Sequence, residues 1–401
     1  MQWTDVLASR NSRMKASEIR ELLKLLDQPD IISFAGGIPD PALFPAQDFA
    51  AAFQQAMAPE NASVALQYSV SEGYRPLREW LVGQMRAIGV ECGVENIFIT
   101  SGSQQALDYL GKLLLSPGDT ALVTWPTYLG ALGAFNAYEP RYDRLDPYAN
   151  TDPAAVRAEA AQAGGAVKFA YLSADFANPT GETLPLDGRL ALLDRAEALN
   201  IPVIEDGAYQ SLRFAGRPIP PILALDIERC GDIEKTRTIY CGSFSKTLAP
   251  GLRVGWVCAA TEVVGRLVLM KQAADLHSPT LSQMATDTVA RRVFDDHVAR
   301  IRQVYDHRRR RMLAALEREM PSGVTFTRPE GGMFIWLTLP EGMDGAELLA
   351  RAVSGHRVAF VPGGAFFADG SNPNTIRLSY SCASDEQIDE GIARIGRLLR
   401  G

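Results

Sequence analysis

The sequence predicts an α/β protein, a largely parallel sheet flanked by helices with a smaller α+β unit after it. Three observations carry that expectation. Strand-like and helix-like periods alternate through the middle of the chain, the pattern of consecutive βαβ units. Polar turns recur at the ends of successive strands, where open α/β sheets form their ligand crevice. The 401 residues, 47% hydrophobic and 22% charged, suffice for a large buried core and two domains.

In chain order, residues 15–27 read as an amphipathic helix, followed by the extended crossing Ser33-Phe34-Ala35-Gly36-Gly37-Ile38-Pro39-Asp40. The segments Asn96–Thr100, Thr120–Thr124, Arg141–Leu145, Val167–Leu172 and Pro202–Glu205 read as strands. Helical periods fill Ser103–Leu115, Tyr128–Ala137 and Leu186–Leu199 between them. The strand-like runs Thr238–Cys241 and Arg253–Cys258 bracket one polar turn. A long helical region, 261–320, is broken near Ser278-Pro279. The remainder reads as strands at Met333–Thr338, Val358–Val361 and Thr375–Tyr380, with helices at Gly345–Val353 and Asp385–Leu399.

Charge and composition exclude several functions. The formal net charge of −7 gives no global field that favours nucleic acid or an anionic membrane. The run Arg308-Arg309-Arg310-Arg311 reads as a solvated helix face rather than a nucleic-acid contact. No segment approaches a membrane span, and Met1–Asp5 does not begin a basic-then-apolar leader, so a cytoplasmic protein is expected. The five cysteines, at 92, 230, 241, 258 and 382, form no Cys-x-x-Cys pair, and three of them sit in or beside apolar strand-like runs, so buried thiols are expected rather than disulfides. The four histidines show no ligand spacing, so no catalytic metal is expected.

The most informative stretch is Ser243-Phe244-Ser245-Lys246-Thr247-Leu248-Ala249-Pro250-Gly251-Leu252-Arg253, a turn between two strands. A lysine condenses with a carbonyl only when part of it is deprotonated, and nearby cations or desolvation lower its pKa toward that state. Arg253 supplies a cation, and Ser243, Ser245 and Arg253 together suit a phosphate. On residue type alone Lys246 is a solvated loop lysine, but the other strand ends change that reading. Ser101-Gly102-Ser103-Gln104-Gln105 opens a helix whose free N–H groups suit a second side of the phosphate. Trp125-Pro126-Thr127-Tyr128 offers an aromatic face for a flat ring. Asn178-Pro179-Thr180-Gly181 holds an amide toward the crevice, and Asp206-Gly207-Ala208-Tyr209 sets an acid three residues before a phenol. That acid can face a protonated ring nitrogen, and that phenol a ring oxygen. Singly each cluster reads as a cap, a turn or a packed aromatic. Jointly they argue for one cofactor site.

These residues resemble the pyridoxal-phosphate-dependent aminotransferases of fold type I, class I/II, over nearly the whole chain. Asn178-Pro179-Thr180-Gly181, Asp206-x-x-Tyr209, Ser243-x-Ser245-Lys246 with Arg253, and Asn374-Thr375-Ile376-Arg377-Leu378-Ser379-Tyr380 stand in that family's order and approximate spacing. Within the family the chain is most similar to the 2-aminoadipate/kynurenine branch. The similarity runs through Ala16–Leu23, Ser33–Gly37, Gly102–Asp108 and Phe360-Val361-Pro362-Gly363.

The resemblance implies a seven-stranded sheet and three regions: an amino-terminal arm at 1–60, a large cofactor domain at 61–320 and a small domain at 321–401. Lys246 would hold the cofactor aldehyde covalently and, once displaced by substrate, move the α-proton. Asp206 would face the ring nitrogen, Asn178 and Tyr209 the ring oxygen, and Tyr128 the ring face. Ser103, Gln104, Ser243, Ser245 and Arg253 would hold the phosphate, with Tyr68 from the second subunit of a homodimer. Arg377 with Asn178 would bind the substrate α-carboxylate as a bidentate pair. Gly37, Ser17 and Arg20 would line the substrate entrance, where Arg20 could pair with a distal carboxylate. The implied reaction moves the amino group of an L-amino acid (2-aminoadipate, glutamate, aromatic or aliphatic) to a 2-oxo acid such as 2-oxoglutarate. A carbon–sulfur β-lyase would use the same lysine, acid and arginine, and some transcription regulators carry such a domain as a sensor. Ala177 and Gly207 depart from the family, where many relatives carry Gln and a second acid.

Overall fold

The computed structural model describes residues 1–14 and 30–401. The expected helix 15–27, with Ser17 and Arg20, lies outside the described residues. The strands in chain order begin with β1 (Ile32–Ser33), β2 (Ile97–Thr100), β3 (Thr120–Val123) and β4 (Arg141–Arg144). Next come β5 (Val167–Leu172), β6 (Val203–Asp206), β7 (Thr238–Ser243) and β8 (Gly255–Cys258).

Strands β2 to β8 form one seven-stranded sheet in the order β2-β8-β7-β6-β5-β3-β4. Neighbours from β7 through β4 run parallel, and β8 is antiparallel to both β2 and β7. Every residue of β2, β3, β6 and β7 is buried, because helices cover both faces. This is why those strands read as continuous apolar runs. Phe98, Tyr171, Ile204 and Val257 pack under the helices Ser103–Leu114 and Leu129–Asn136 on one face. Ile97, Ile99, Tyr240 and Cys258 pack under Arg75–Ala87 and Thr280–Glu319 on the other. The edge strand β4 is mostly exposed and carries two arginines and an aspartate, charges that discourage pairing with another sheet.

The carboxy-terminal strands are β9 (Thr325–Phe326), β10 (Phe334–Thr338), β11 (Val358–Ala359), β12 (Val361–Pro362) and β13 (Thr375–Ser379). Four of them form an antiparallel sheet in the order β12-β13-β10-β9, while β11 pairs parallel with β1. The single strand expected at 358–361 is therefore split at Phe360. Its two halves serve different sheets, and the buried Phe360 ring joins the core beneath them. The helix Asp385–Arg400 begins with a capping box between Ser384 and Gln387 and packs on Thr280–Glu319. Phe34 donates its N–H to Ala359 and accepts one from Ser379, each at 2.8 Å. These bonds fix the Gly36-Gly37 crossing beside β13.

The arginine run is not the solvated face that its sequence suggests. Arg308 reaches Asp40 at 2.7 Å and donates to the Ser381 carbonyl. Arg309 pairs with Asp306 and donates to the Pro329 carbonyl at 2.7 Å. Arg311 pairs with Asp385 and Asp389. Arg310 alone of the four keeps two-thirds of its side chain exposed. This part of a 40-residue helix lies under the carboxy-terminal helix and the Asp40 crossing, so its cations are used internally. Cys92, Cys241 and Cys258 are buried free thiols. No helix among the described residues is long and apolar enough to cross a membrane.

Candidate active site

The lysine turn is built by its own first residue. Ser243, at the end of β7, accepts the Ser245 N–H at 3.1 Å and donates to the Ser245 hydroxyl at 2.9 Å. A single 3-10 turn over Phe244–Lys246 follows. Phe244 anchors it, packed 5.0 Å from Trp256 and 5.9 Å from Trp80 between ring centroids. Lys246 thereby faces inward, its Nζ donating to the Gly37 carbonyl at 2.9 Å and lying 5.8 Å from the Tyr209 ring centroid. Burial, then the Arg377 cation, hold its pKa down at about 8 against the opposing pull of Asp206.

Asp206 ends β6. One carboxylate oxygen accepts the Tyr171 hydroxyl at 2.9 Å and the other the Ala208 N–H at 3.2 Å. Burial raises its pKa, while the Tyr171 hydroxyl, the Ala208 N–H and Lys246 oppose the rise. A cation placed against it would restore the carboxylate. Tyr209 is 6% exposed, edge-on to Phe334 at 5.7 Å, and its hydroxyl is next to the Asn178 amide.

Arg377 comes from the middle of β13 and is 1% exposed. Its Nη1 donates to Asn178 Oδ1 at 2.7 Å and its Nη2 to the Ala35 carbonyl at 2.9 Å. Its Nε is buried without a hydrogen-bond partner. The guanidinium lies 4.3 Å from the Phe334 ring centroid and 5.1 Å from that of Phe366. Among the described residues no carboxylate offsets it, and burial lowers its pKa to about 10. A substrate carboxylate is the partner such a site lacks.

At the opposite end, Gly102 has φ +82 and precedes the helix Ser103–Leu114. A Cβ there would stand 2.3 Å from Arg253 Nη2, so glycine is what lets the guanidinium lie at the helix start. Arg253 donates to the Pro250 carbonyl at 3.1 Å and the Ser101 carbonyl at 3.3 Å. The first-turn N–H groups have no intrahelical acceptor, and with Ser243, Ser245 and Arg253 they form an anion cup. The Gln104 amide itself donates to the Gly130 carbonyl at 2.6 Å. The Tyr128 ring folds over Gly130, where a Cβ would be 2.4 Å from it.

One cavity of about 1160 Å³ is lined by Gly37, Ser103, Gln104, Tyr128, Asn178, Asp206, Tyr209, Ser243, Ser245, Lys246, Arg253 and Arg377. Of the expected site residues that are described, Tyr68 stands apart. It is 80% exposed, its ring edge-on to His277 at 6.1 Å. Three features escaped the sequence reading. Tyr171 behind Asp206 showed only as a hydroxyl in an apolar strand. Arg13, which lines the cavity mouth and donates to the Pro140 carbonyl at 2.6 Å, gave no signal. Asp175, one turn before Asn178, takes both Arg189 and Arg213 at 2.9 Å, and Arg213 continues to Glu330 at 2.9 Å. That chain of charges ties the Asn178 turn to the Gly331-Gly332 entry into β10.

The donor set fits pyridoxal 5'-phosphate: an anion cup at one end, an acid at the other, a lysine of lowered pKa between them, and an orphan guanidinium beyond. Such a cavity at the carboxyl ends of a seven-stranded sheet defines a pyridoxal-phosphate-dependent transferase of fold type I. Residues 29–395 match the family model for aminotransferase class I and II. The 2-aminoadipate transaminase of Thermus thermophilus is 42% identical over 401 residues, covering 100% of this chain and 98% of that one. Aromatic-amino-acid aminotransferase 1 of Thermococcus litoralis is 42% identical over 393 residues, covering 96% and 92%. The crystal structure of LysN, the α-aminoadipate aminotransferase of Thermus thermophilus, complexed with N-(5'-phosphopyridoxyl)-L-leucine, superposes with a TM-score of 0.88. Its identity is 41%, covering 100% of this chain and 99% of that one. The chain belongs to the class I and II aminotransferases, and it is a pyridoxal-phosphate-dependent transaminase.

Proposed function

We propose that the enzyme takes both acidic and apolar L-amino acids, 2-aminoadipate and glutamate as well as aromatic and aliphatic ones, and passes the amino group to 2-oxoglutarate. The observation that carries this is Arg377, a buried cation bonded to Asn178 and Ala35 with no carboxylate beside it among the described residues. It would hold the α-carboxylate common to every donor while leaving the side chain to the cavity mouth. The relatives named for 2-aminoadipate and for aromatic amino acids, and the leucine adduct in LysN, support the breadth.

Bound pyridoxal phosphate supplies the electron sink that makes the substrate α-proton labile. Lys246, neutral in good part near pH 8, takes that proton from the α-carbon and returns it. Asp206, oriented by Tyr171 and the Ala208 N–H, would hold the proton on the ring nitrogen. Tyr209 and Asn178 would hold the ring oxygen, and Tyr128 would cover the ring face. Ser103, Gln104, Ser243, Ser245 and Arg253 would fix the phosphate.

We assign Tyr68 to the phosphate of a partner subunit in a homodimer. The exposed apolar side chains of Leu66, Tyr68 and Val70, with Leu276 beside His277, support a protein-covered face there. We assign Gly37, Ser17 and Arg20 to the substrate entrance and the enzyme to the cytoplasm. The divisions 1–60, 61–320 and 321–401 are its arm, cofactor domain and small domain.

A panel of donors with 2-oxoglutarate tests the substrate reading. Arg20→Ala should raise KM for 2-aminoadipate and glutamate roughly 30-fold or more, as expected for loss of a desolvated arginine–carboxylate pair, and leave leucine and phenylalanine within about twofold. An unchanged ranking of donors would remove Arg20 from side-chain selection.

A further inference from the structure

Behind the Asp206 wall lies a second cavity of about 490 Å³. It is enclosed by the helix Arg75–Ala87, the segment 207–221 and the helix Thr280–Glu319. It shares Ala208 and Ser243 with the cofactor cavity, so the two are separated by a single layer of side chains. Gly207 helps shape it: a Cβ there would lie 2.2 Å from the Tyr240 hydroxyl, which donates to Gln210 Oε1 at 2.6 Å.

The interior is aromatic and its polar atoms are not all satisfied. Trp80 packs edge-on to Phe294 at 5.1 Å, and both line the cavity. Two further wall residues, Thr247 and Trp256, bury Oγ1 and Nε1 without a hydrogen-bond partner among the described residues, and Thr247 is 4% exposed. Buried donors of this kind are paired in most proteins, by protein, water or ligand.

Opposite charges flank the opening. Asp295 and Arg302 stand two turns apart on one helix and both line the cavity. The Asp295 carboxylate, exposed at the opening, makes no hydrogen bond among the described residues, and its charge acts on the equally exposed Arg302. Arg302 commits only Nε, to the Ser211 carbonyl at 2.6 Å. The other charged side chains at this site, Asp175 and Arg213, already pair with each other. A simple carboxylate would answer Arg302 and meet Asp295 unfavourably, and an amine would do the reverse. A zwitterion answers both.

We propose that this cavity binds a second α-amino acid with an aromatic or branched apolar side chain. Its carboxylate lies on Arg302, its ammonium on Asp295, and its side chain against Trp80 and Phe294. The bound molecule would abut Ala208, whose N–H holds Asp206, so occupancy reaches the acid beneath the ring nitrogen.

Equilibrium dialysis of the holoenzyme against radiolabelled α-methyl-L-phenylalanine, which lacks the α-hydrogen that transamination removes, counts the sites. Two equivalents per chain are expected. Arg302→Gln should weaken one of them at least tenfold, and Gln84→Trp, which fills the cavity from its helix, should abolish the same one. A single equivalent abolished by Gln84→Trp would also support the cavity, and would count instead against amino-acid binding beside Lys246. One equivalent untouched by either change, or two that both survive, would leave the cavity with solvent only and overturn the proposal.

Discussion

The two ends of the cofactor cavity are built differently. At the Arg377 end the guanidinium, the Asn178 amide, Tyr209 and Asp206 are all buried. They are fastened to one another or to backbone before any ligand arrives, through Asn178 Oδ1, Ala35 O and the Tyr171 hydroxyl. At the phosphate end Gln104 and Arg253 are exposed in the single chain, and the cup is a helix start, a turn and one arginine lying over Gly102. The first end keeps the Arg377 guanidinium out of water with no carboxylate beside it among the described residues. The second leaves its donors in water until an anion and, on the proposed reading, a partner tyrosine close it. The loss on removing Arg377 should therefore be large and confined to catalysis, and losses at the open end small and confined to cofactor retention.

The sharpest break is at Arg377. Arg377→Ala removes the α-carboxylate partner and leaves the Asn178 amide and the Ala35 carbonyl unpaired. Truncating one member of a buried charge pair costs roughly 2–5 kcal/mol, so kcat/KM should fall about 30- to 5000-fold for every donor alike. Cofactor absorbance in the visible should be retained. A loss restricted to acidic donors would move the α-carboxylate elsewhere.

A smaller effect is expected from Tyr68→Phe, which removes one donor from an anion shared by several others. Cofactor affinity should weaken about tenfold, with kcat at saturating cofactor nearly unchanged. At a cofactor concentration that leaves Tyr68→Phe mostly unloaded, mixing Tyr68→Phe chains with Lys246→Ala chains should recover activity, since a hybrid dimer then holds one site free of both changes. Mixtures no more active than their parents would put Tyr68 outside the partner's site.

This contrast also explains what the sequence could reveal. The anion cup is local: Ser243, Ser245 and Lys246 fall on one turn, and Gly102-Ser103-Gln104 on one helix start, so spacing along the chain already describes it. The buried strands of the large sheet were legible for a similar reason, as apolar runs between turn residues. The buried end is assembled from β5, β6, β13 and the Ala35 crossing, and its fastenings depend on register across strands. Tyr171 meets Asp206 because β5 and β6 are adjacent, with Tyr171 opposite Ile204. The pairing of Arg213 with both Asp175 and Glu330 spans 117 residues on one side. The arginine run misled because its polarity is the same whether it meets water or the acids of a packed helix. Only the folded chain supplies Asp40, Asp385 and Asp389.

The central claim is that burial and the Arg377 cation prepare Lys246 as a neutral amine near physiological pH. Reductive methylation of the cofactor-free enzyme across a pH series, read by mass spectrometry at the peptide that carries Lys246, measures this directly. A lowered pKa means the reactive neutral form appears as pH rises through about 8, and labelling of Lys246 should reach half its maximum rate there. A Lys246 whose labelling rises only near pH 10.5, the ordinary lysine value, would contradict the account.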